Sequence, residues 1–148
     1  MVRRFIAAGG VLLAAALLLP TLPAATGEQQ AKKAALAFGS SLKHSDTAAL
    51  RSVLPSRGKV NLRLIVFGPE EGSYSADQVQ VLFKGFLRQG EVRSFDLLHV
   101  QCSTDQFALV HARAGVTDRD GRAGEVDLHL TFQPENDRWV LREIREAR

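Results

Sequence analysis

The sequence predicts a single α+β domain in which N-terminal helices pack on an antiparallel sheet. Three observations predict this class: an apolar stripe with helical spacing early in the chain, a second helix with a capping signal, and alternating segments throughout the last third. The 148 residues, of which 45% are hydrophobic and 24% charged, suit one ordinary globular domain.

Residues 1–27 have the layout of a secretory signal peptide. Arg3 and Arg4 supply the positive start, and an apolar or glycine run follows over residues 5–19. The alternative is an uncleaved anchor, but this run is shorter than the roughly 20 residues of a membrane span and ends at a proline. We therefore expect an exported bacterial protein, periplasmic or secreted, with no stable membrane span after cleavage.

The cleavage site is predicted from small residues. Ala25 and Gly27 stand at the two positions that a signal peptidase reads, which places cleavage before Glu28. Cleavage one to three residues earlier is the alternative. The remaining domain is residues 28–148.

The predicted helices come first. Residues 28–43 carry an apolar stripe at spacings of three and four, and Asp46 caps a short second helix that ends at Pro55. Ser75 and Gln78 form a capping box for a helix that reaches about Gln89. The stripe of the first helix consists of Ala31, Ala34, Ala35, Phe38 and Leu42.

The predicted strands alternate apolar and polar residues. One strand precedes the capped helix, residues 68–72 form a turn, and the rest follow as a meander. The strands are residues 59–67, 92–102, 107–117, 125–133 and 139–145.

This element order resembles the nuclear-transport-factor-2-like superfamily, over residues 29–145. Residues 67–78, Phe83, Phe86 and residues 94–99 further resemble an exported bacterial family of unknown function. The resemblance implies a strongly curved antiparallel sheet that wraps a helix and leaves a conical pocket. It implies no activity, because the superfamily includes enzymes, binding modules and adaptors.

Charge argues against a nucleic-acid partner. The formal net charge of +3 falls to +1 without the signal, because residues 1–27 contain two arginines and no acid. The remaining charges are interspersed and form no basic stripe.

Cys102 is the only cysteine, so no internal disulfide forms. It is predicted to be a small buried apolar residue, with an intermolecular disulfide or a reactive thiol as the alternatives.

His99 and His111 are the candidate catalytic residues, because each continues an apolar face and is predicted to point into the pocket as a general base. Arg113 has the parity of His111 and is a candidate to bind a ligand carboxylate together with the two histidines. The alternative is a hydrogen-bonded core or interface histidine. Tyr74 is the only tyrosine, and its packing beside the capping box accounts for it, so the acid–base set of the superfamily's enzymes is incomplete.

No metal or cofactor is predicted. His99, His111 and His129 lack the short spacing of a ligand set, and His129 alternates with Asp127 and Thr131 on a polar face.

The strand over residues 107–116 is apolar on both faces, which predicts that something covers the face away from the helices. We expect a homodimer through the outer face of the sheet, or else a loop or C-terminal segment folded over it. The small apolar side consists of Ala108, Val110, Ala112, Ala114 and Val116.

The sequence thus favours a non-enzymatic binding or interaction protein of the cell envelope, which holds a small apolar ligand or a protein partner. The alternative is an isomerase, dehydratase or cyclase with His99 or His111 as base. A third possibility is a structural subunit whose hollow is filled by its own side chains, Phe38, Phe83, Phe86 and Phe95.

Overall fold

Two helices, a short 3-10 helix and six strands make up the part of the chain that the computed structural model describes, residues 26–103 and 106–147. In chain order they are α1 (Gly27–Lys43), the 3-10 helix (Ala49–Ser52), β1 (Val60–Leu64), β2 (Glu70–Tyr74), α2 (Ala76–Gln89), β3 (Glu91–Ser103), β4 (Phe107–Thr117), β5 (Ala123–Glu135) and β6 (Arg138–Glu146).

The six strands form one open sheet in the order β2-β1-β6-β5-β4-β3. Consecutive strands from β3 to β6 pair antiparallel, as predicted. The sheet is nevertheless mixed, because β1 lies parallel to β6. The α+β class is confirmed, and the wholly antiparallel sheet is corrected by that one parallel pair.

The region around β1 differs from the prediction. Residues 65–67 leave the sheet, and part of the predicted turn is strand β2, which pairs antiparallel with β1. The cause lies in Glu146, whose buried carboxylate accepts the backbone N–H groups of Val66 and Phe67 at 2.8–3.0 Å. These donors are satisfied without a strand partner.

The predicted capping box of α2 is confirmed, and α1 begins with a box of the same kind. Ser75 accepts the backbone N–H of Gln78, whose side chain in turn accepts the N–H of Ser75, so α2 begins where predicted. Thr26 and Gln29 form the same reciprocal pair at the start of α1. The predicted cap residue Asp46 accepts the N–H of Ala49 at 3.1 Å, but Ala48 is the residue that precedes the helix, it forms no side-chain cap, and the helix is a single 3-10 turn.

The helices cover one face of the sheet, which we call the inner face. All five residues of the predicted α1 stripe are buried there. On β4 the small residues Ala108, Val110, Ala112 and Ala114 also point inward, at no more than 1% exposure. The face that carries His111 and Arg113 is the outer face.

A cluster of phenylalanines fills the space between the helices and the inner face. Phe83 of α2 meets Phe38 of α1 edge to face at 6.0 Å between ring centroids, and Phe38 meets Phe95 of β3 at 5.9 Å. Phe86 packs on Phe83 at 5.5 Å. Gly39 makes room for this, because a Cβ there would lie 2.1 Å from the Phe95 ring.

The predicted signal, residues 1–27, lies outside the described residues except for Thr26 and Gly27. Within residues 26–103 and 106–147, no helix is both long and apolar enough to cross a membrane.

Replacement of Phe83 by alanine should remove the centre of the aromatic cluster. We expect the free energy of unfolding to fall by about 3–5 kcal/mol, because a cavity replaces a fully buried ring. Urea denaturation measures the loss. Val81→Ala is the matched control, since Val81 lies on the same helix with 70% of its surface exposed. Similar losses for both variants would contradict the packing described.

Candidate functional site

His99, His111 and Arg113 all lie on the outer face of the sheet. The predicted orientation of the two histidines into the pocket is therefore wrong. Both faces of β4 carry apolar residues near His111, so the alternation of residues alone does not show which face is buried. For His99 the cause is a β-bulge between Leu97 and His99, which moves His99 to the face opposite Phe95.

The strand register lines up charged and titratable side chains across the outer face. His99 lies opposite His111, His111 opposite His129, and His129 opposite Arg145. On the far side of β6, Arg145 lies beside Arg63. Directly opposed residues point to the same face, so the sheet brings together three histidines that the sequence separates widely.

The central histidines stack on each other. The rings of His111 and His129 are 4.7 Å apart between centroids and 10° from parallel. His111 Nε2 lies 3.4 Å from Asp127 Oδ2. Arg113 donates two hydrogen bonds to the same carboxylate, from Nε to Oδ1 at 2.8 Å and from Nη2 to Oδ2 at 3.3 Å. The predicted ligand residue Arg113 is thus already engaged by a carboxylate of its own chain.

These contacts shift three pKa values. The Arg113 guanidinium lowers the pKa of Asp127. His111 lowers it further, whereas burial raises it. The same carboxylate raises the pKa of Arg113. Burial, followed by His111 and Arg145, lowers the pKa of His129 and so favours its neutral form.

No metal centre results from this row. Among the described residues, no group of three histidine, cysteine or acidic side chains is arranged to hold a metal ion. Cys102 lies half-buried on the inner face opposite Ala108, and its thiol points to the carbonyl of Phe107 at 3.7 Å.

The homodimer was predicted from the small apolar side of β4. The helices already bury that side, whereas the outer face carries the polar row together with half-exposed Leu109. Pairing of two copies through the outer face stays a prediction.

A partly open cavity of about 240 Å³ lies at one end of the domain, where α2 ends and β3 begins. Sequence patterns did not predict it, because its walls come from three separate segments and carry no chemical motif. Gly90 was the available signal: a Cβ there would lie 2.8 Å from the carbonyl oxygen of Thr117, so only glycine lets the end of α2 approach β4 so closely. The apolar lining consists of Val66, Phe67, Phe86, Leu87, Val92 and Val116.

The ionisable residues of this cavity lie at its exposed rim. They are Glu91, Asp118, Arg119 and Asp120. Asp118 already accepts the backbone N–H groups of Asp120 and Arg122 at 2.9 and 2.8 Å, which holds the β4–β5 turn in shape. The cavity therefore offers apolar contact inside and charge only at its mouth.

Comparison with solved structures identifies the fold. A DUF4783 family protein from Bacteroides uniformis superposes with a TM-score of 0.60 at 13% identity, over 76% of this chain and 94% of that one. A proposed dehydratase of the NTF2-like family from Streptomyces avermitilis gives 0.63 at 19% identity, over 80% and 93%. A proposed isomerase from Rhodopseudomonas palustris gives 0.61 at 16% identity, over 84% and 90%.

The domain has the nuclear-transport-factor-2-like fold, and the resemblance found in the sequence is confirmed at that level. No family model and no curated protein matches the sequence. Identities this low establish architecture and leave activity to be argued from the site.

The stacked histidines predict a loss of stability in mild acid. Because the folded-state pKa of His129 is lowered, the unfolded chain binds this proton more readily, and stability falls as the pH drops below the ordinary histidine value of about 6.5. Urea denaturation at pH 7.5 and 5.0 should show a smaller acid-induced loss for His129→Gln than for the parent. Gln101→Asn, an exposed change on β3 that involves no titratable group, should leave the loss unaltered. Equal losses in the parent and His129→Gln would contradict this account.

Proposed function

We propose that the protein is an exported, non-enzymatic binding module that receives a small apolar group in the cavity at the end of the domain. The cavity itself is the observation that carries this proposal: about 240 Å³, apolar within and charged only at its rim. This volume lies below the range of roughly 300–1,000 Å³ for whole drug-sized ligands, so it suits one ring or a short alkyl chain.

The filled interior supports binding over catalysis. Enzymes of the isomerase or dehydratase kind need a base beside the substrate within the hollow. Here Phe38 and Phe83 occupy that hollow at 1% exposure each, and His99 and His111 lie on the opposite face of the sheet. No residue of the cavity wall supplies a buried acid–base pair.

Contacts of the β1–β2 connection with β6 and α2 support one wall of the cavity. Glu146 holds Val66 and Phe67 against the cavity through their backbone N–H groups. Phe67 in turn packs on Phe83 at 6.3 Å between centroids. A preformed apolar pocket loses little conformational entropy when it binds.

Filling the cavity should abolish binding. Val116→Trp places a large ring within the cavity, and Val81→Trp adds the same ring on the exposed side of α2 as the matched control. Fluorobenzene and 4,4,4-trifluorobutan-1-ol serve as probes, followed by ¹⁹F NMR line broadening. We expect saturable binding to the parent and to Val81→Trp. A folded Val116→Trp should bind the probes at least about tenfold more weakly than the parent does. Absence of saturable binding to the parent, or equal binding to all three, would refute the cavity as the binding site.

Export is tested separately with the full chain. Expressed in a Gram-negative host, it should be recovered from the periplasm with its N-terminus at or just before Glu28, as read by mass spectrometry. Ala25→Trp should block processing, because a bulky residue then stands where the peptidase reads a small one. Thr26→Leu, at the unread position between Ala25 and Gly27, should be processed normally. Recovery of uncut parent protein in the cytoplasm would rule out the signal peptide.

A further inference from the structure

Arg145 lies at the centre of a row of basic side chains on the outer face. Its neighbours in the register are His129 on β5 and Arg63 on β1. Adjacent strands are about 4.8 Å apart, so one small ligand can reach all three side chains at once. A groove of about 600 Å³ runs over them between the outer face and the β1–β2 connection, with Ile65 and Pro69 in its wall.

The carboxylates of this groove already have partners. Glu71 accepts a hydrogen bond from Arg63 Nη2 at 3.0 Å, and Glu70 accepts one from the Tyr74 hydroxyl at 2.8 Å. Glu146 is 4% exposed and its two oxygens accept backbone N–H groups. All three acids are therefore satisfied from within the chain.

Arg145 differs from them. Its side chain is exposed, and within residues 26–103 and 106–147 no carboxylate lies within ion-pair distance of it. Glu143 shares its strand and face, but the register places Glu143 between Thr131 and Asn61. Arg63 and Arg113, which also lie on the outer face, each have a carboxylate. The planar fork of Arg145 is left to face the groove and the solvent.

We propose that this groove binds an oxyanion, a carboxylate or a phosphate group, with Arg145 as its principal ligand. A guanidinium binds two oxygens of such a group through parallel N–H bonds. His129 supplies a ring N–H, and Arg63, whose Nε and Nη2 donate to Glu71, supplies its Nη1 donors. The site lies on the other face of the sheet from the apolar cavity, so it stands or falls independently of the proposed function.

Binding should be visible at His129. The pKa of this histidine is lowered by burial, by His111 and by Arg145, and a bound anion offsets the repulsion from Arg145. Anion binding therefore raises the pKa of His129, and protonation of His129 tightens binding. The chemical shift of its imidazole C–H reports both changes.

The test is a titration of the purified protein with inorganic phosphate and, separately, with acetate, at constant ionic strength set by chloride. NMR follows the imidazole C–H signals and the arginine Nε–H signals. We expect saturable shifts centred on His129 and Arg145, and a rise in the pKa of His129. Arg145→Gln should weaken the apparent affinity by about tenfold or more. Arg122→Gln, a change on the exposed β4–β5 loop, is the matched control and should bind as the parent does.

A vesicle arm distinguishes a lipid headgroup from a free solute. Sedimentation with phosphatidylglycerol vesicles, compared with phosphatidylcholine vesicles, measures the first source. If Arg145→Gln loses vesicle binding but keeps the phosphate and acetate responses, the oxyanion belongs to a lipid. If it loses the phosphate or acetate response but keeps vesicle binding, the oxyanion belongs to a soluble ligand. Linear, non-saturating shifts that are the same in both arginine variants, without vesicle binding, would overturn the proposal.

Discussion

Contact among the phenylalanines of α1, α2 and β3 is the interaction on which the rest of the structure depends. Phe83 reaches from α2 to Phe38, and Phe38 reaches to Phe95 of β3, so three elements share one apolar centre. Gly39 is the counterpart of this packing, since only the absence of a side chain there admits the Phe95 ring. With its middle filled in this way, the cone has no room for an enclosed chamber.

The candidate sites consequently lie at the surfaces of the domain. An apolar opening lies beside Phe86, at the edge of the phenylalanine cluster. The titratable groups gather on the outer face, where neighbouring strands align them in rows.

Local signals in the sequence predicted most of the architecture. Spacings of three and four located α1, and the Ser75–Gln78 box located the start of α2, because both signals depend on residues close in sequence. The parallel pairing of β1 with β6 depends on residues about 80 positions apart, and no local pattern specifies it. Strand β2 was missed because glutamates and glycine are poor strand formers, and its pairing with β1 overrides that preference.

The candidate site was predicted less well, for a reason visible in β3. Strict alternation placed His99 beside Phe95 in the interior, yet the chain inserts one extra residue near Leu98 and reverses the sides for everything that follows. Such a bulge leaves no trace in composition. Loss of the single codon for Leu98 would remove the extra residue and leave a regular ladder in which His99 still lies opposite His111. The bulge can therefore be lost without moving this imidazole from the outer face to the core.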